Sequence, residues 1–113
     1  MKLITAVIAS ADIEQTKEML KDAGITGLTI SDARGFGRRG GTVEIYRGSE
    51  HVVDLMPRFR LEVVVADRDA VERVVNALAA AARVGGAPEG KVWVTDVEWV
   101  VSLRTGEMND DAI

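Results

Sequence analysis

The chain has 113 residues, 47% of them apolar, no cysteine, a formal net charge of -4 and a pI near 5.0. That length suits one compact domain able to bury a core without disulfides or metals, and the apolar content excludes a disordered chain. The acidic balance argues against a general nucleic-acid surface, which needs a basic patch, while the lack of cysteine removes thiol chemistry and suits a reducing, cytoplasmic setting.

Lys2 to Ala9 is short, apolar and rich in β-branched residues, the pattern of a buried first strand. Ala9-Ser10-Ala11 resembles a secretory cleavage site, but the apolar run before it is at the minimum length for a signal core, so a strand is expected. No run approaches a membrane span. Asp12 to Ala23 predicts a helix: Asp12 and Gln15 form a capping-box pattern, Ile13, Thr16, Leu20 and Ala23 share a face, and Gly24 stands where a helix stops. Ile25 to Ala33 follows as a second strand.

Gly35 to Asp54 is different: Gly35, Gly37, Gly40, Gly41 and Gly48 are scattered among charged residues with little apolar periodicity. At about 20 residues it exceeds an ordinary connection, and loops of that length are commonly functional. It is expected to be mobile alone and ordered by a partner, with a β-ribbon through Thr42 to Tyr46. Pro57 to Ala66 alternates as a third strand, with Phe59, Leu61, Val63 and Val65 on one face. Asp69 to Arg83 predicts a second helix, capped by Asp69 and Glu72 and burying Val71, Val75, Leu78 and Ala82. Lys91 to Val97 is a fourth strand, Trp99 to Arg104 a candidate fifth, and Thr105 to Ile113 a polar, loose tail. The order β-α-β, long loop, β-α-β predicts an α+β, ferredoxin-like fold: an antiparallel four-stranded sheet with two helices on one face.

Between the second helix and the fourth strand stands VGGAPEGKV, Val84 to Val92. Gly85, Gly90 and Lys91 match a Walker loop, but Val92 replaces its hydroxyl residue, and the order is helix-loop-strand where a Walker loop needs strand-loop-helix. The Walker reading is rejected. Gly85, Gly86 and Gly90 can still turn backbone N–H groups into an anion nest, with Lys91 at its edge and Pro88 removing one donor. A Gly/Pro turn in that place is otherwise commonplace.

Four stretches, GITGLTISDARGFGR (Gly24 to Arg38), EIYRGSEHVVD (Glu44 to Asp54), EGKVWVTDV (Glu89 to Val97) and RTGE (Arg104 to Glu107), agree in order and spacing with one family. Through them the chain resembles the PII signal-transduction proteins over nearly its whole length. The resemblance implies a single domain assembling as a homotrimer, with ATP and ADP competing in clefts between subunits. It also implies 2-oxoglutarate binding with Mg-ATP, and a T-loop, about residues 36–55, that docks onto channels, enzymes or regulators of nitrogen or carbon metabolism. The implied role is regulation and not catalysis. Further segments are a nucleotide loop at about 83–91 and a C-terminal segment, 98–113.

Carried over by position, the nucleotide cleft takes Val7, Thr29, Gly35, Gly37, Arg38 and Val64 on one wall and Glu89, Gly90, Lys91 and Arg104 on the other. Lys91 and Arg104 suit phosphate, the glycines a close backbone approach, and Thr29 the base edge or ribose. The family's usual GKIGDGK is GGAPEGK here, and a second phosphate-binding arginine is Ser102. With two cations absent, ADP or AMP is expected to bind as well as ATP or better. Arg39 replaces a glutamine that helps hold Mg²⁺ and 2-oxoglutarate; a cation repels Mg²⁺, so Arg39 and Arg58 form a candidate small-anion or 2-oxoglutarate pair. In the T-loop, Arg47, Ser49 and His51 are candidate partner contacts. His51 replaces the tyrosine that many members uridylylate, while Ser49 matches a serine phosphorylated in others and Tyr46 matches a different family tyrosine.

Blander readings stand beside these. A lone histidine is poor evidence for a metal, and no metal triad or Ser-His-Asp set is present. Trp93, Val97 and Trp99 read as packing or subunit interface in place of a base-stacking platform. The rival to a nucleotide sensor is a trimeric, ligand-independent interaction module, favoured by Ser102, Arg39 and the altered loop.

Overall fold

In a computed structural model, the protein is described over residues 1–9, 13–37, 42–46, 48–53, 55–85 and 90–113, with backbone only for 42–46 and 49–53. The elements are β1 (Lys2–Ile8), α1 (Ile13–Asp22), β2 (Thr29–Gly35), β3 (Thr42–Tyr46), β4 (Ser49–Val53), β5 (Met56–Val65), α2 (Arg68–Val84), β6 (Gly90–Asp96) and a 3₁₀ turn, Asn109–Ala112. Four strands form one sheet in the order β2-β5-β1-β6, every neighbour antiparallel. This is the expected ferredoxin-like α+β arrangement. β3 and β4 form a separate hairpin inside the long loop, with Glu44 opposite His51 and Tyr46 opposite Ser49. The expected ribbon through Thr42 to Tyr46 is one arm of it.

The core lies between the sheet and the helices. Ile4, Ala6 and Ile8 of β1 and Leu61, Val63 and Val65 of β5 meet Leu20 of α1 and Ala70, Val74 and Leu78 of α2. β5 behaves as its alternation requires, with Phe59 packed at the edge of the cluster. α1 ends in a Schellman motif at Gly24, whose φ is +92°. There Ile25 N–H donates to Leu20 O and Gly24 N–H to Lys21 O, satisfying carbonyls the helix leaves open. The cap expected at Asp12 lies outside the described residues.

The second strand begins at Thr29, not at the expected Ile25, and runs on to Gly35. Three further expectations need correction. The N-cap of α2 is Asp67 and not Asp69: Asp67 is extended, and its carboxylate accepts from Ala70 N–H at 2.9 Å. The capping-box rule misses it because the residue three positions on is Ala70, whereas Asp69 has Glu72 there. The buried stripe of α2 is Ala70, Val74, Leu78 and Ala81. Its apolar arc is wide, and the expected Val71, Val75 and Ala82 form its half-buried flank.

The third correction concerns the C-terminal region. Trp99 to Arg104 is not a fifth strand. Val97 N–H donates to Met1 O, one step past β6; Val101 then makes an isolated bridge to Met108. Between them the chain closes on itself, with Gly106 N–H donating to Ser102 O at 2.8 Å and Ser102 N–H to Glu107 O at 2.9 Å. The tail expected to be loose is an ordered loop followed by the 3₁₀ turn. Among the described residues no helix is long and apolar enough to cross a membrane.

Candidate functional site

Strand alternation sends Leu3, Thr5 and Val7 to the face of the sheet that the helices leave open. The register aligns three rows across it. Ser31, Arg60, Val7 and Lys91 form one; Thr29, Glu62, Thr5 and Trp93 the next; Val64, Leu3 and Thr95 the third. Val7 and Lys91, expected on opposite walls of a cleft, are therefore direct cross-strand neighbours, and Thr29 stands beside Glu62. Arg58 extends the same face opposite Ala33.

The charges on this face are unequally satisfied. Arg60 Nε donates to Glu62 Oε1 at 3.1 Å, so the two long side chains at its centre neutralise one another. Lys91 is exposed, and among the described residues it forms no ion pair. A cation without a carboxylate partner is free to meet an anion.

Thr29 and Val64 line a groove of about 650 Å³ where the loops around Gly27 and Ala66 meet the sheet. That is within the size range of small-molecule sites. Val100, Ala112 and Ile113 line it too. The sequence reading missed Ala112 and Ile113 because nothing in a polar tail signals that it folds back, and Val100 because it reads as part of a fifth strand. The groove excludes Val7, Gly35, Gly37, Lys91 and Arg104. Gly35 ends β2, Gly37 lies just beyond and is exposed, and Arg104 is exposed in the closed C-terminal loop. Ser102 helps shape that loop, its Oγ accepting from Thr105 N–H at 3.4 Å.

Gly90 has a reason to be glycine that owes nothing to a ligand. Its φ is +146°, and an added Cβ would lie 2.7 Å from Val7 O, where backbone cannot yield. Arg38, Arg39, Glu89 and Arg47 lie outside the described residues; Ser49 and His51 are fixed only as backbone positions in β4. Among the described residues no group of His, Asp or Glu gathers into a metal-binding set.

An antiparallel sheet with helices on one face and a polar, partly cationic open face defines a ferredoxin-like α+β protein. The family model described as Nitrogen regulatory protein P-II matches residues 1–107, and the chain belongs to that family, one of signal-transduction regulators. Curated relatives, each described as Nitrogen regulatory protein P-II, cover the chain and are covered by it over their full length. Those from Azospirillum brasilense, Mesorhizobium japonicum and Pasteurella multocida are 47%, 45% and 44% identical.

Proposed function

We propose that this chain is an adenine-nucleotide-responsive regulator that assembles as a homotrimer and controls a protein partner of nitrogen or carbon metabolism through its T-loop, residues 36–55. The observation that carries this reading is the open sheet face: at the β6 edge Lys91 stands beside Val7 with no ion pair among the described residues, and at the opposite β2 edge, one register row along, Thr29 and its partner Glu62 line the groove. Lys91 neutralises phosphate, Thr29 and the peptide edge at Val64 hold the base, and Arg104 of a neighbouring copy closes the cleft bidentately. Gly35, Gly37, Arg38, Glu89 and Gly90 complete it. Bound nucleotide favours one T-loop conformation over another, and only one of these meets the partner, so the coupling needs no bond chemistry.

Ser102, where the family carries a cation, serves its own turn. With that cation and the one replaced by Gly86 missing, ADP or AMP binds at least as well as ATP. Mg²⁺ enters only with ATP, held by the phosphates. Arg39 and Arg58 take a small anion in place of ordinary 2-oxoglutarate chelation. Calorimetric titration with ATP, ADP and AMP, each with and without Mg²⁺ and 2-oxoglutarate, tests this. About one nucleotide site per chain is expected, and Lys91→Ala and Arg104→Ala should each weaken binding about tenfold while the protein stays folded. Undiminished affinity in both variants refutes the site. No binding at all favours the second reading, a ligand-independent interaction module, to which the structural role of Ser102 lends weight.

A further inference from the structure

The hairpin in the long loop pairs its charged positions selectively. β3 and β4 form a two-stranded sheet of their own, and among the described residues no other strand joins it. Tyr46 is the register partner of Ser49, which leaves a two-residue turn, and Gly48 in that turn has a φ of +78°. A short turn with a left-handed glycine fixes the register of the strands it joins. That register sets His51, the only histidine of the chain, directly opposite Glu44. Residues so placed have Cβ atoms about 5 Å apart, within reach of a charge pair.

The other charged positions nearby stand differently. Glu50 is opposite Ile45 and by alternation belongs to the other face. Tyr46 shares the face of His51 but stays neutral until about pH 10. Arg47 and Asp54, four and three positions from His51 in the chain, lie outside the described residues. With no cysteine in the chain, histidine is the one side chain whose charge ordinarily changes between about pH 5.5 and 8.

We propose that this register makes the hairpin a pH-sensitive element: protonation of His51 opposite Glu44 favours the paired strands, and deprotonation releases them. Opposite charges facing across an antiparallel pair shift its equilibrium by about 1.5- to 5-fold. In a buried sheet so small a factor goes unnoticed. An isolated two-stranded hairpin is marginal in water, so here it changes how much of the chain is paired. Glu44 is ionised throughout the range, and its charge raises the pKa of His51 in the hairpin above the ordinary value of about 6.5. The gain is therefore complete below about pH 6.5 and is lost as pH rises through the raised value. That the paired fraction reaches a partner rests on the T-loop reading above; the switch itself does not.

NMR on the full chain at low salt, from about pH 8 to 5.5, tests it. The single imidazole reports the charge, and the backbone shifts of residues 42–53 report the paired fraction. In the unaltered chain the imidazole should titrate above about pH 6.5, and the ratio of paired to open hairpin should rise about 1.5- to 5-fold on acidification. Glu44→Gln should return the titration toward the ordinary value and abolish the rise. Glu50→Gln should keep more than half of both effects. Both substitutions lie outside the four-stranded sheet and its core, so the thermal midpoint should hold. An imidazole that titrates alike in the unaltered chain and in Glu44→Gln overturns the proposal, as does a paired fraction that ignores pH. So does a Glu50→Gln effect as large as that of Glu44→Gln, since net charge and not register would then govern the hairpin. A chain that binds no nucleotide defeats the sensor reading and leaves these spectra to decide the switch.

Discussion

The two faces of the four-stranded sheet are made by the same strands and obey different rules. Toward the helices, Ile4, Leu61 and Val63 are almost wholly buried and uniformly apolar. Toward the open side, the intervening positions are Thr5, Val7, Arg60, Glu62, Lys91 and Trp93. A core explains the first list by area removed from water. It cannot explain the second, in which a lysine with no ion pair among the described residues and a tryptophan 44% exposed sit on the open side of the sheet. Charge and large apolar area together on an uncovered face are what a ligand or a second subunit uses.

Adjacent residues put the contrast to its sharpest test. Leu61→Ala removes a side chain only 2% exposed and should cost about 2–5 kcal/mol in denaturant unfolding. Arg60→Ala, one residue away on the other face, removes an exposed ion pair and should cost less than about 1 kcal/mol. Comparable losses would break the distinction between a structural and a functional face.

A second, smaller effect is expected where the faces meet. Gly90→Ala places a Cβ against Val7 O in a positive-φ position and should cost about 1–3 kcal/mol. Gly37, whose added Cβ meets nothing within 4 Å, should accept alanine with little change in the thermal midpoint. If Gly90→Ala were as neutral as Gly37→Ala, the close approach of β6 to β1 would be wrong. Because Gly90→Ala disturbs the fold, Lys91 and Arg104, and not Gly90, report on the ligand cleanly.

How legible the molecule was in its sequence follows the same divide. β1, β5 and α1 were readable because one covered face imposes a period of two or of 3.6. α2 was readable as an element but not in its stripe, since an arc of alanines and valines leaves its rotation to tertiary packing. Asp67 was hidden because a single side chain capped the helix without the reciprocal partner that the motif demands. Of the site, Val7 with Lys91 and Thr29 with Val64 were named from family likeness, but their arrangement in neighbouring rows depends on register, which pairs residues far apart in sequence. The C-terminal wall was not legible at all. It depends on Asn109 adopting a left-handed backbone, which no periodicity announces.

The smallest effect belongs at the end of the sheet. Lys2 and Asp96 are register partners, and the Lys2 ammonium binds the Asp96 carboxylate. That hydrogen bond, and then the charge of Lys2, holds the Asp96 carboxyl below its ordinary range. A carboxylate whose pKa is lowered by folding adds stability that is present above the unfolded value, about pH 4, and is lost as pH falls through the folded value. The group is fully exposed, so water and salt screen the gain. Melting Asp96→Asn beside the unaltered chain should therefore give midpoints that separate slightly above pH 4 at low salt and converge both in acid and in high salt. A deficit that persisted in high salt, or approached that of Leu61→Ala, would mean this edge of the sheet is held by burial and not by an exposed pair.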